Sequence, residues 1–304
     1  MENLLQWRGE FGLGPGLHNY GKTCYVNAVL ECLLHLPPVV QSLLPPYQPA
    51  LTTQFSPQDC LSRIVHDIHV NDSTKRRKTW PNGYRMDELH SHLADVWLSF
   101  GAGRQEDAHE SSKVFLDIDI PVTPDVVTVE DSLRRAFGTT ALTGDNSYEC
   151  TYCNRRCPAV RTSAIAEWPH ALVLRVLRFA VGEKRTIKKN GQPIQYTSEL
   201  NMSEFATVDH ADIVYELRGV VLHLGSSLTS GHYIAYVLAP SGRWFSMDDQ
   251  LSRQHIQRNT APNAAPNVAP SVSRKATRII ARNMAVPSTA LKAPHNLVPN
   301  TLTL

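Results

Sequence analysis

No stretch of this chain approaches the ~18 consecutive apolar residues of a membrane-spanning helix, which argues against a membrane protein. The start, Met1-Glu2-Asn3-Leu4-Leu5-Gln6-Trp7-Arg8, has no basic segment leading into an apolar run, so no secretory signal is expected. Cysteine is scarce, six among 304 residues. Without a signal these six read as free thiols in a reducing compartment rather than a disulfide framework. These absences predict a soluble intracellular protein of the cytoplasm or nucleus.

Acidic residues are missing from residues 258–304, which carry six bases: Arg258, Arg274, Lys275, Arg278, Arg282 and Lys292. With a net charge of +2 overall, the remaining residues hold 24 bases against 28 acids. That imbalance is too small to define a partner. The terminal segment repeats Ala261-Pro262-Asn263, Ala265-Pro266-Asn267 and Ala269-Pro270-Ser271. Proline blocks helix and sheet ladders, and little apolar bulk offsets chain entropy. The expectation is a disordered Ala/Pro/Asn-rich basic tail over 258–304 behind one domain over 1–257. Six charges with no aromatic platform argue against nucleic acid as a partner.

What is present centres on Gly16-Leu17-His18-Asn19-Tyr20-Gly21-Lys22-Thr23-Cys24-Tyr25-Val26-Asn27. It reads as a glycine-bearing turn leading into a helix, with apolar residues at Tyr25, Val26, Val29, Leu30, Leu33 and Leu34 in helical spacing. Pro37-Pro38 is expected to end that helix. A thiol at a helix N-terminus faces the positive end of the backbone dipole, an arrangement that favours a nucleophilic thiolate. The alternative for Cys24 is a small buried residue packing a helix end. Further helices are expected from Pro57 to His69, Met86 to Phe100 and Val129 to Phe137. The basic run Lys75-Arg76-Arg77-Lys78 reads first as a solvated loop and second as an import signal.

From Val114 onward strands dominate: Phe115 to Ile120, Leu172 to Phe179, Tyr215 to Leu224 and His232 to Leu238. Helices first and mostly antiparallel strands later give an α+β domain. The β runs either side of Ala239-Pro240-Ser241-Gly242 form a hairpin. A turn centred near 240–241 pairs His232 with Asp248 or Asp249, and one residue of register separates the two choices. Such a carboxylate can fix the imidazole's tautomer and leave its other nitrogen free to activate a thiol.

These stretches resemble the boxes of a known family. Gly16 to Asn27 is similar to the cysteine box of the ubiquitin-specific proteases, and Gly231-His232-Tyr233 with Trp244 to Asp249 resembles their histidine box. Gln105-Glu106-Asp107-Ala108-His109-Glu110 resembles the family's Gln-Asp-Ala-His-Glu segment, and Pro169-His170-Ala171-Leu172 through Arg178-Phe179 its strand ending in Arg-Phe. The resemblance implies a papain-like cysteine peptidase with a helical thumb, an antiparallel β palm and reduced fingers. It implies a thiol-dependent deubiquitinase that cuts after the C-terminal glycine of ubiquitin, with ubiquitin and ubiquitinated proteins as partners.

Carried over, Cys24 is the nucleophile, His232 the base and then acid, Asp248 the orienting acid, and Asn19 the side-chain donor of the oxyanion hole. Asp249 supports the site, and Asp107, with Gln105 in the same segment, meets the basic ubiquitin tail. Asn19 read as a turn holder and Asp249 read as a solvent-facing acid remain alternatives. His109 and His223 are expected to be structural.

Several features depart from the family. Glu110 to Val114 joins directly to the strand at Phe115, so a helix continuation and the first cysteine pair are expected to be missing. Cys150 and Cys153 match the second pair, leaving half a zinc site, with Cys157 as a third candidate ligand and Cys60 a distant fourth. No cofactor is required by the implied chemistry. The tail stands where a closing palm strand is expected, and Lys22 replaces a small or amide residue. The alternative to an active enzyme is therefore a catalytically impaired ubiquitin-binding pseudo-enzyme.

Overall fold

Pro37 and Pro38, expected only to end the first helix, also open the second. In the computed structural model, α1 runs Cys24–Leu34 and α2 Pro37–Leu43, with proline in the first turn, where its missing N–H costs nothing. The structure describes residues 5–44, 55–71, 80–93, 115–181, 187–207, 213–225, 231–254, 275–282 and 301–303. Gln105, Asp107, His109 and the run Lys75–Lys78 lie outside these residues. The α1–α2 pair bends by 86°, and no single described helix is long and apolar enough to cross a membrane.

Helix α3 spans Pro57–His66, its N-cap Ser56 accepting a hydrogen bond from the Asp59 amide, and passes into a π-helical turn at Asp67–Asn71. Helix α4 is Asp87–Ser91, so only the start of the helix expected from Met86 lies among the described residues. Leu30 and Leu34 of α1 pack with Val40, Ile64, Val65 and Leu89 into the core of this helical thumb. Helix α5, Val129–Phe137, is held at its start by a reciprocal capping box between Thr128 and Asp131.

The strands are β1 Phe115–Pro121, β2 Thr140–Leu142, β3 Tyr148–Cys150, β4 Arg155–Cys157, β5 Ala159–Thr162, β6 Ala171–Leu177, β7 Phe179–Val181 and β8 Ile187–Lys189. There follow β9 Glu199–Asn201, β10 Val214–Leu224, β11 His232–Leu238, β12 Trp244–Asp248, β13 Leu251–Gln254, β14 Lys275–Arg282 and β15 Thr301–Thr303. The main sheet runs β1-β6-β14-β10-β11-β12-β13, with β9 also on β10. The α+β class stands. The palm, however, is antiparallel only where β9 joins β10 and from β10 to β13; β1, β6, β14 and β10 are mutually parallel.

The tail differs from expectation. Residues 275–282, assigned to a disordered segment, form β14 in the middle of the sheet, between β6 and β10. Residues 301–303 form β15 against β5. The repeat at 261–271 lies outside the described residues. Ala276 to Ala281 contains Ile279 and Ile280 in a short β-forming run, a signal outweighed in the sequence by the surrounding prolines. The palm strand expected to be lost is therefore supplied from beyond residue 257.

A separate hydrophobic cluster welds thumb to palm. Ala28 and Cys32 of α1 and Leu36 pack against Ala235 and Val237 of β11 and Met247 of β12. Residues four apart share a helix face, so Cys24, one turn before Ala28, continues that face towards the end of β11 where His232 stands.

Candidate active site

Cys24 is the first residue of α1 and is 7% exposed. The loop before it is wrapped around one oxygen. Asn19 Oδ1 accepts from the Gly21 amide at 2.8 Å, the Thr23 amide at 3.3 Å and the Thr23 hydroxyl at 3.1 Å. Thr23 Oγ1 in turn accepts from the Tyr20 amide at 3.0 Å. With Thr23 engaged in the loop, α1 has no side-chain cap, so its first N–H groups stay open around Cys24. The loop needs left-handed backbone at Gly21 and also at Lys22, whose φ is +63°.

Asn19 thus has the turn-holding role weighed for it, but its amide nitrogen does something else. Nδ2 donates to Asp249 Oδ2 at 2.7 Å, using one of its two hydrogens. Asp249 is accordingly no free solvent-facing acid. Its Oδ1 accepts from Asn27 Nδ2 at 2.8 Å, and its carbonyl accepts from the Leu17 amide at 2.9 Å. Asp249 itself is left-handed, with φ +48°. Gly16 runs so close beneath it that an added Cβ would sit 2.4 Å from the Asp249 carbonyl oxygen. Asn27 was not singled out in the sequence, although it stands three residues after Cys24 and inside the same box.

The hairpin resolves the choice between the aspartates. Strands β11 and β12 pair Leu238 with Trp244 and Ala235 with Met247, a register that continues to place Ile234 opposite Asp248. His232 is therefore not directly opposite either acid; it is the diagonal neighbour of Asp248 on the same face. His232 Nε2 and Asp248 Oδ1 meet at 2.6 Å. The pleat sends Asp249 to the other side, towards Asn19 and Asn27. Gly231 precedes His232 because His223 is there already: an added Cβ would lie 2.0 Å from His223 Nε2. His223 is buried, in keeping with a structural role. With Nε2 taken by Asp248, Nδ1 of His232 is the nitrogen left for a thiol. Among the described residues no hydrogen bond yet joins it to Cys24, a contact that commonly tightens only on substrate binding.

Behind the site, α1 buries Glu31 and His35, each with a side chain 2% exposed. Burial, and then the charge of Asp249, hold the Glu31 carboxyl well above its ordinary range. Burial pushes His35 down to about 4. Glu31 Oε2 and His35 Nδ1 are 3.8 Å apart, but burial disfavours the charged form of each side chain. His35 Nδ1 instead donates to the Glu31 backbone carbonyl at 2.6 Å. Glu31 Oε1 and His35 Nε2 have no hydrogen-bond partner among the described residues.

His232, Asp248 and Asp249 bring three ligand-type atoms within 4.8 Å of one another. Within the protein His232 Nε2, Asp248 Oδ1 and both Asp249 oxygens are already hydrogen-bonded, by the His232–Asp248 bond and the two asparagine amides. The zinc site implied by the family does not fit the cysteines present. Cys150 ends β3, Cys153 lies in the β3–β4 turn and Cys157 ends β4, but Cys60 is packed in the thumb core with Ile64 and Leu34. Among the described residues the cysteines form no group of three within metal-ligating reach.

A family model described as ubiquitin carboxyl-terminal hydrolase matches residues 15–268. The mouse ubiquitin carboxyl-terminal hydrolase 17-like protein B is 27% identical over 308 residues, covering 82% of this chain and 61% of its own length. The probable ubiquitin carboxyl-terminal hydrolase 16 of Schizosaccharomyces pombe is 25% identical over 307 residues, covering 84% of this chain and 66% of its own. The chain thus spans less than two thirds of these relatives. Among solved structures, the SAGA Ubp8/Sgf11/Sus1/Sgf73 DUB module bound to ubiquitin aldehyde has a TM-score of 0.62 at 22% identity, over 84% of this chain and 69% of that one. The same module with a singly substituted Ubp8, bound to monoubiquitin, also has a TM-score of 0.62, at 21% identity, over 81% of this chain and 66% of that one. These two likenesses speak to the fold.

Proposed function

Since this chain belongs to the ubiquitin carboxyl-terminal hydrolase family, we propose that it hydrolyses the bond at the C-terminal glycine of ubiquitin on protein conjugates, by a thiol mechanism. The observation that carries this is the His232–Asp248 hydrogen bond at 2.6 Å on the strand against which the Cys24 helix packs. Cys24 sulfur attacks the isopeptide carbonyl while His232 Nδ1 takes the thiol proton. Asp248 holds the ring and balances its charge when it becomes an imidazolium.

The tetrahedral oxyanion is met by the open N–H groups of the α1 N-terminus and by the second Nδ2 hydrogen of Asn19. His232 then gives its proton to the leaving lysine amine. A thioester to ubiquitin remains, and water, deprotonated by His232, attacks it to release ubiquitin and the Cys24 thiol. Each proton is moved by the chain's own residues, so the reading calls for no cofactor. Asp107 and Gln105 are assigned to the basic ubiquitin tail on the family resemblance. The pseudo-enzyme alternative drew part of its weight from a missing palm strand, and β14 occupies that place.

The test is ubiquitin bearing a thiol-reactive group at its C-terminus, mixed with the full chain and with Cys24→Ala. A covalent adduct confined to the unsubstituted chain is expected. A soluble, folded chain that forms no adduct would sink the enzyme reading and leave a ubiquitin-binding module.

A further inference from the structure

The three cysteines at the β3–β4 hairpin take no part in the proposed reaction, and they do not make the zinc site the family implies. What they make is narrower. Residues 151–154 turn the chain, with Asn154 left-handed at φ +55° and its amide bonded to the Cys150 carbonyl at 2.8 Å. That turn carries Cys153 back over β4, so that its sulfur lies 3.4 Å from the sulfur of Cys157. Two thiolates sharing one zinc, each at about 2.3 Å, sit ~3.8 Å apart at the tetrahedral angle. The Cys153–Cys157 pair is closer than that, and a closure of about 1.4 Å brings it to disulfide length.

Access favours the same pair. Cys150 is 5% exposed, whereas Cys153 and Cys157 are both partly open to solvent. The two thiols share one hydrogen bond, and Cys153, on the turn rather than in the strand ladder, is the attacking sulfur with Cys157 resolving; the reverse order yields the same disulfide.

We propose that Cys153 and Cys157 are a modification site, a dithiol that a small-molecule disulfide of the glutathione class oxidises to an intrachain disulfide. Cys153 thiolate attacks one sulfur of the oxidant, whose S–S bond breaks and releases one thiolate that takes up a proton. Cys157 loses its proton and its thiolate attacks the Cys153 sulfur of the mixed disulfide, expelling the second small thiol. The protein gives up two electrons, and the oxidant becomes two thiols. The inference is independent of the proposed function, since it uses neither Cys24 nor ubiquitin.

Arg155 and Arg156 lie between the two cysteines, so trypsin places Cys150 and Cys153 on peptide 136–155 and Cys157 on peptide 157–161. The full chain is incubated with oxidised glutathione, blocked with N-ethylmaleimide, digested and weighed without reduction. The expected product is the two peptides joined, separable by dithiothreitol, with fragmentation placing the bond on Cys153. The joined species should persist in Cys150→Ala and vanish in Cys153→Ser. A bond mapped to Cys150, a glutathione adduct on Cys153 that never resolves, or a cross-link that forms only after a zinc chelator is added would each overturn the proposal.

Discussion

Asn19 Nδ2 and Asp249 Oδ2 lie 2.7 Å apart across 230 positions of sequence. Together with Asn27 on the other oxygen, this bond ties the loop before Cys24 to the residue after Asp248. Replacing Asn19 by Asp keeps an acceptor for the Gly21 and Thr23 amides but removes the donor and sets two carboxylates against each other. Asn19→Asp should lower kcat by about 10²–10³, the usual cost of one oxyanion donor, and also depress the melting temperature. Unchanged kcat would remove Asn19 from the chemistry and leave it only the turn.

Asn27→Leu tests the other half of the clamp. It leaves Asp249 Oδ1 without its partner, at a cost of about 1–3 kcal/mol in stability by denaturant titration. Because Asn27 touches neither Cys24 nor His232 in the described bonds, activity per folded molecule should fall less than in Asn19→Asp. A larger fall would make Asn27 the more important of the two.

The diagonal His232–Asp248 contact predicts unequal effects of the two acids. Asp248→Asn keeps the shape but removes the charge that supports an imidazolium, and should cost about 10²–10⁴ in kcat with little change in melting temperature. Asp249→Asn, which takes an acceptor from the two asparagine amides, should lower the melting temperature more than Asp248→Asn does. Equal effects of both substitutions on kcat and on melting temperature would contradict the register described for β11 and β12.

Glu31 and His35 set opposite pH limits on stability. Burial raises the Glu31 value, so the folded state holds a proton that the unfolded chain gives up near 4.5. The Glu31 contribution is complete below that pH and is lost as pH rises towards the folded value. His35, lowered to about 4, contributes fully above its unfolded value near 6.5 and loses that contribution as pH falls through about 4. Glu31→Gln should therefore flatten the alkaline side of a stability-against-pH curve, by at most ~1.4 kcal/mol per pH unit, and leave the acid side alone. Identical alkaline slopes in urea titrations from pH 5 to 9 would refute it.

Lys22 adopts φ +63° in an exposed turn, a conformation that costs a side chain with a Cβ roughly 1–2 kcal/mol. Lys22→Gly should stabilise the protein by about 1 kcal/mol in a thermal melt, and Lys22→Val should destabilise it. A neutral glycine variant would show that the turn relaxes around lysine.

Much of the site was legible because it is local. The thiol at the start of a helix, the hairpin around Pro240, and the approach of His232 to an aspartate all follow from period and turn residues within some twenty positions of each other. Spacing alone left Asp248 and Asp249 both open, since a turn centre uncertain by half a residue changes the paired partner, and only the family resemblance pointed to Asp248. The Asn19–Asp249–Asn27 clamp was hidden because no periodicity links residues so far apart. The tail was misread for a related reason. Composition averages over a window, and the eight residues that build β14 are diluted by the prolines and alanines before them.

That placement of β14 has a consequence for how the molecule comes into being. Among the described residues, the strands that carry His232 and Asp248 and the strands β1 and β6 are joined across the sheet only through a segment made after both of them. Neither half can zip to the other while the ribosome is still short of residue 282, and pairings of such long range are slow to form. A nascent chain would wait with two sheet edges bare, protease-sensitive and in need of a chaperone, until its own late segment arrives as a keystone. Nonsense truncation anywhere before that segment should therefore leave no folded palm behind, only a substrate for quality control.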